Sequence, residues 1–204
     1  MTRAAGAPAS VPALARDWFD RPATTLAREL LGCRFVHAAP EGTVGGLIVE
    51  TEAYRGPEDR AAHSARGRTP RNAVMFGPAG FMYVYLVYGL HHCLNVVAGP
   101  GEKPEAVLIR AIALDEGMEI ARARRAPAVP ERRLASGPGN VGAALGIDRR
   151  HNGLDLLDSP VRVEARDFSP RVIRGPRVGV DYAGAWTARP LRFWIADDPH
   201  VSRR

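Results

Sequence analysis

Residues Phe81–Gly99 read FMYVYLVYGLHHCLNVVAG, two strand-prone runs on either side of Gly89. Runs rich in Tyr, Val and Leu that meet at a glycine predict a β-hairpin. Phe81, Tyr83 and Tyr85 then share one face of the first strand, and Cys93, Asn95 and Val97 share one face of the second. Tyr88 breaks that alternation and stands beside the turn. A large ring at an exposed turn suits a wedge or stacking contact, or else packing on a neighbouring loop. Asn95, among small apolar neighbours, needs a partner or a ligand.

Outward from the hairpin, TTLARELLG predicts a helix capped by Thr24 or Thr25 and ended by Gly32. CRFVH, VGGLIVETEAY and EAVLIRAIAL predict further strands, and SGPGNVGAALGI a short helix with Pro138 in its first turn and Gly146 at its end. EGMEIARARRAPAVPERRL reads as a basic helix broken by Pro127 and Pro130, and the C-terminal third as short strands and turns. Strands outnumber helices and meet through hairpins rather than regular helical crossovers. The fold class is therefore α+β: a single domain with a curved, mostly antiparallel β-sheet core, surrounding helices and a protruding β-hairpin. Residues 1–16, rich in Ala, Pro and Ser, read as a disordered tail ahead of a domain over 17–204.

The 204 residues carry 28 basic and 22 acidic side chains, a formal charge of +6, which favours an anionic partner without naming one. Lys103 is the only lysine, so the positive surface is almost wholly arginine. Cys33 and Cys93 lack the spacing of a zinc site, and His91 and His92, adjacent in a strand, point to opposite faces and do not share an ion. A metal enzyme is not expected. No run approaches the length of a membrane span and the N-terminus lacks a signal-type apolar core, so a cytoplasmic protein with no membrane role is expected.

Two groups of buried charge stand out. In GGLIVETEAY, alternation places Ile48, Glu50, Glu52 and Tyr54 on one face. In EAVLIRAI it places Ala106, Leu108, Arg110 and Ile112 together. Carboxylates and a guanidinium inside strands must be paired or must serve a ligand. A plain ion pair and a reactive site fit these residues equally well. SGPGN, opening a helix beside an arginine-rich segment, fits either a phosphate held on backbone amides or a simple turn.

Taken in order, DWFDRPATTLARELLG, ETEAYRGPEDRAAHSARGRTPRNAVMFGPAGFMYVYLVYGLHHCLNV, VLIRAIAL, ASGPGNVGAALGI, RVGVDYAG and RPLRFWI resemble the alkyladenine (3-methyladenine) DNA glycosylase family over residues 17–203. The resemblance implies base-excision repair: a damaged purine is flipped from double-stranded DNA and released by an activated water, without metal or other cofactor. It implies that Glu52 is the general base, that Tyr54 stacks on the extruded base, and that His63 lies on the base's other side. Tyr85 completes the pocket, Asn95 excludes the 2-amino group of normal guanine, and Tyr88 fills the gap left in the duplex. Arg110 supports the water and adjacent phosphate, and Val178 offers the water its main-chain carbonyl. Glu50 is left structural, or paired with an arginine. Lys103, in a polar loop, is badly placed to form a Schiff base, so an enzyme that does not cut the strand is expected. A monomer suffices for all of this. Ala185 stands where the family commonly has a glutamate, and a structural effect alone is expected there.

Overall fold

A computed structural model describes residues 14–100, 103–126 and 128–203. Four α-helices are present among them: α1 (Arg16–Phe19), α2 (Ala23–Glu29), α3 (Met118–Arg124) and α4 (Pro138–Leu145). The strands are β1 (Arg34–Ala39), β2 (Gly42–Tyr54), β3 (Met82–Val87), β4 (His91–Ala98), β5 (Glu105–Glu116), β6 (Val161–Glu164), β7 (Val172–Gly175) and β8 (Arg192–Ile195). They form one open sheet in the order β3-β4-β5-β2-β1-β6, with β8 joining β2 and β7. Every pairing is antiparallel, and the chain is a single α+β domain. Most of the expected tail, residues 1–13, lies outside the described residues, as does Pro127. Leu14 already packs against the core, and Arg16 pairs with Asp155. No described helix is long and apolar enough to cross a membrane.

The sheet separates two environments. Leu26, Leu30 and Leu31 from the α2 region and Val141, Ala144 and Leu145 from α4 pack onto Val84, Leu94, Val96, Val107 and Ile109. Each wholly buried leucine there contributes about 1.5–3 kcal/mol of transfer free energy. The alternate residues Tyr83, Tyr85, Cys93 and Asn95 line a cavity instead. Alternation therefore reads β3 and β4 correctly.

In β2 and β5 it does not. Ile48 pairs with Ile112, Glu50 with Ala111 and Thr51 with Ile109, so Val49 and Arg110 are extra residues inserted in facing strands. The two bulges switch parity together. Ile48 and Ile112 consequently join the apolar core along with Ala53 and Ile109, and neither shares the face of Glu50, Glu52 and Arg110.

Helix α2 also starts differently. It begins at Ala23 behind Pro22, with no cap from Thr24 or Thr25. The amide of Ala23 donates instead to the buried carboxylate of Glu105 at 2.6 Å. A cap supplied from β5, far along the chain, leaves no local signature. Helix α4 follows expectation, with Pro138 in its first turn and Gly146 in the left-handed region at its end.

Candidate active site

Strands β2, β3, β4 and β5 present their polar face to a cavity of about 680 Å³. Glu52, Tyr54, His63, Tyr85, Asn95 and Arg110 line it, and Tyr88 and Val178 border it. The residues singled out in the sequence thus converge on one place.

Glu52 is wholly buried, and its carboxylate is held on three sides. Tyr54 donates its hydroxyl to Oε2 at 2.9 Å, the Val178 amide donates to Oε1 at 2.7 Å, and Arg110 Nη1 stands 3.3 Å from Oε1. It is the amide of Val178 that meets the carboxylate. Burial raises the proton affinity of Glu52, Glu50 adds to that effect, and Arg110, the Val178 amide and Tyr54 oppose it. The net shift is upward, the direction that makes a carboxylate a better proton acceptor near neutrality.

Glu50 is equally buried but differently served. Its Oε1 accepts from Arg110 Nε at 3.0 Å and Arg192 Nη1 at 2.9 Å, and its Oε2 accepts from the Ser202 amide at 2.7 Å. Burial disfavours its charge, yet Arg110, Ser202 and Arg192 outweigh that and lower its pKa. The environments push these two carboxylates in opposite directions. Glu50 is the ion-paired anchor, and it orients Arg110 so that Nη1 reaches Glu52. Arg192 had no signal beyond its place in RPLRFWI, because its partners lie on β2 and in the C-terminal segment.

The walls are aromatic. His63 meets Tyr85 edge-on, with ring centroids 4.5 Å apart, and its Nδ1 hydrogen-bonds the Tyr83 hydroxyl at 2.8 Å. Burial, with help from Arg71, lowers its pKa to about 4, so the imidazole is neutral at pH 7. Burial, foremost, likewise keeps the phenols of Tyr54 and Tyr85 protonated. Uncharged ring walls above a carboxylate attract a flat cationic group, against the opposing charges of Arg71 and Arg110, which also line the cavity. Asn95 is fixed by donating from Nδ2 to the Tyr83 carbonyl at 3.0 Å.

Tyr88 is 90% exposed at the hairpin tip. Its φ of 52° and that of Gly89, 69°, are both positive, and the Leu90 amide closes the turn onto the Val87 carbonyl at 3.1 Å. A bulky side chain in the left-handed region costs of order 1–3 kcal/mol and persists at positions with a task. Lys103 pairs with Glu58 and Glu105 and is not among the cavity residues. Among the described residues no group of three His, Cys, Asp or Glu is placed to hold a metal ion.

Sequence reasoning passed over Asp59 and Arg177, which form a bidentate ion pair inaccessible to solvent behind Tyr54. Their polarity in a loop gave no hint that both are buried. Arg71, whose guanidinium lies 5.2 Å from the Tyr85 ring centroid, was likewise hidden in a polar stretch.

Comparison with known proteins identifies the family. The sequence model of methylpurine-DNA glycosylases matches residues 17–199. A protein of Methanocella arvoryzae is 46% identical over 195 residues, covering 95% of this chain and 98% of its own. One from Corynebacterium glutamicum is 45% identical over 186 residues, covering 91% and 95%, and one from Myxococcus xanthus is 45% identical over 192 residues, covering 93% of each. All three bear the name "Putative 3-methyladenine DNA glycosylase". With a match that spans nearly the whole chain and a buried carboxylate beneath aromatic walls, this protein belongs to the methylpurine-DNA glycosylase family.

Proposed function

We propose that the protein excises alkylated or deaminated purines from double-stranded DNA by hydrolysis of the N-glycosidic bond, with Glu52 activating the water. The observation that carries this reading is the Glu52 carboxylate, raised in proton affinity and held by Tyr54, Val178 and Arg110 at the floor of a ring-lined cavity. The substrate class is 3-methyladenine, 7-methylguanine, hypoxanthine and ethenoadenine.

A base inside a duplex is out of reach, so the nucleotide rotates out and Tyr88 fills its place. The extruded purine stacks on Tyr54, with His63 and Tyr85 against its other side, and Asn95 excludes the 2-amino group of normal guanine, whose uncharged ring lacks the attraction of a cationic lesion for the aromatic walls. Bond cleavage leaves positive charge on the sugar, which the Glu52 carboxylate stabilises. Water then adds to C1′ as Glu52 takes its proton, and the electron pair of the broken bond leaves with the base. Arg110, turned by Glu50, holds the carboxylate in place and meets the adjacent phosphate. The Val178 carbonyl orients the water.

Lys103, engaged by two carboxylates away from the cavity, leaves no lysine to form a Schiff base, so the product is an abasic site in an uncut strand. The protein acts as a cytoplasmic, nucleoid-associated monomer with no cofactor.

The decisive experiment compares wild type and Glu52→Gln on duplexes carrying each lesion. Wild type is expected to release the base, and the variant to bind the lesion while losing release by at least about 100-fold. Wild type that binds but releases no base would instead mark a non-catalytic DNA-binding module. A covalent adduct trapped by borohydride would overturn the hydrolytic, non-cutting assignment.

A further inference from the structure

Tyr54 is backed by charge. The guanidinium carbon of Arg177 lies 4.7 Å from its ring centroid, and Arg177 is not among the residues facing the cavity, whereas Tyr54 is. The ring therefore stands between a buried cation and the space where a base would stack. Among the described residues Arg177 has one ionic partner, Asp59, bound through two parallel contacts, with Nη2 to Oδ1 at 2.8 Å, and its Nη1 also donates to the Ala53 carbonyl at 2.9 Å. Asp59 is also tied down by the amides of Arg55 at 3.1 Å and Ala61 at 3.0 Å. Neither side chain of the pair reaches solvent, and Arg177 Nε is buried with no hydrogen-bond partner among the described residues. A pair carrying an orphaned donor is a poor choice on stability grounds alone, where apolar replacements often do as well.

Charge across the ring gives the pair a task. A cation over one face of an aromatic ring opposes a second cation over the other. Purines methylated at N3 or N7 are cationic, whereas hypoxanthine and ethenoadenine are neutral.

We propose that the Asp59–Arg177 pair sets the lesion preference of the pocket: Arg177 packs behind Tyr54 to hold the stacking wall, and Asp59 cancels its charge so that the wall still accepts a cationic base. Both are positioning residues that act through Tyr54. The inference rests on the glycosylase reading and adds a substrate-charge selector to it.

The test is the ratio of kcat/KM for 7-methylguanine to that for hypoxanthine, measured on one enzyme preparation so that the folded fraction cancels. Asp59→Asn should lower the ratio about tenfold, the scale of unit charges at ring-stacking separation in a partly polar site. Arg177→Met should raise it, Arg177→Lys should leave it near wild type, and the double variant Asp59→Asn with Arg177→Met should restore it. If Asp59→Asn does not fold, the double variant and Arg177→Met still fix the sign. A ratio unchanged across the series, with both lesions falling together, would overturn the selector and leave the glycosylase reading intact. A wild type that releases neither base would remove both.

Discussion

The main-chain amide of Val178 donates to Glu52 Oε1 at 2.7 Å, joining a loop near the C-terminus to a strand 126 positions earlier. The loop is thereby tied to the carboxylate. A buried carboxylate retains its charge only with such donors, and here the donors fall short of offsetting burial completely. That shortfall has consequences for both rate and stability.

Glu52→Gln should raise stability near neutrality while abolishing base release. A carboxyl group whose folded pKa lies above its unfolded value contributes most below the unfolded pKa, and loses that contribution as pH rises through the folded pKa. Removing the charge should increase Tm at pH 8. The gain should shrink toward pH 4. Thermal melts of both proteins across that range check the sign, and a lower Tm for the variant at pH 8 would show Glu52 to be net stabilising.

Tyr54→Phe keeps the stacking ring and removes one donor to Glu52. Its hydroxyl lowers the carboxyl's proton affinity, so its loss should move the acidic limb of the kcat profile to higher pH. Lesion binding should remain within about twofold and kcat should fall about tenfold at pH 7, the scale of one charge-assisted hydrogen bond. Single-turnover rates against pH decide this.

Glu50 behaves oppositely to Glu52. Its pKa is lowered in the folded state, so its contribution is present above the unfolded value, near 4.3, and is lost as pH falls through the folded value. Glu50→Gln leaves Arg110 and Arg192 without their shared carboxylate and should cost about 3–5 kcal/mol by chemical denaturation. Equal stability of variant and wild type at pH 7 would refute the anchoring role.

Tyr88→Gly should separate function from fold. The substitution relieves a left-handed tyrosine 90% exposed at the turn, so Tm should hold or rise slightly. Base release from duplex DNA should fall at least about tenfold, because a few kcal/mol of unstacking is no longer offset. Release from single-stranded DNA should fall much less. Equal losses on both substrates would show that the ring does not replace a flipped nucleotide.

Gly142→Ala tests how the hairpin is held. A Cβ at Gly142 would lie 2.4 Å from the His92 carbonyl oxygen, so α4 and β4 would have to part. The displacement should weaken duplex binding while leaving the far edge of the sheet intact, and hydrogen exchange confined to β3 and β4 would reveal it.

Much of the fold was legible because β3 and β4 keep strict alternation: Tyr83, Tyr85, Cys93 and Asn95 could be assigned to one face by counting. Counting failed at Ile48 and Ile112, because a bulge adds a residue without adding a step, and nothing in LIVE or LIRA marks the insertion. The cap of α2 was invisible for a related reason, since Glu105 arrives from another strand. The site residues were legible through resemblance to a family more than through pattern. The partners that tune them, Asp59, Arg177 and Arg192, lie in loops and at the first residue of the short strand β8, where polarity is the norm and burial has too few residues to show a period.

The extra residues at 49 and 110 also constrain how this chain can change over generations. Loss of either alone would throw half of one strand out of phase with its neighbour, turning the cavity-facing side toward the leucines of α2. Loss of both together would restore the phase. Descent within this strand pair must therefore proceed by matched steps, and a lineage that shortens one strand is expected to have shortened the other.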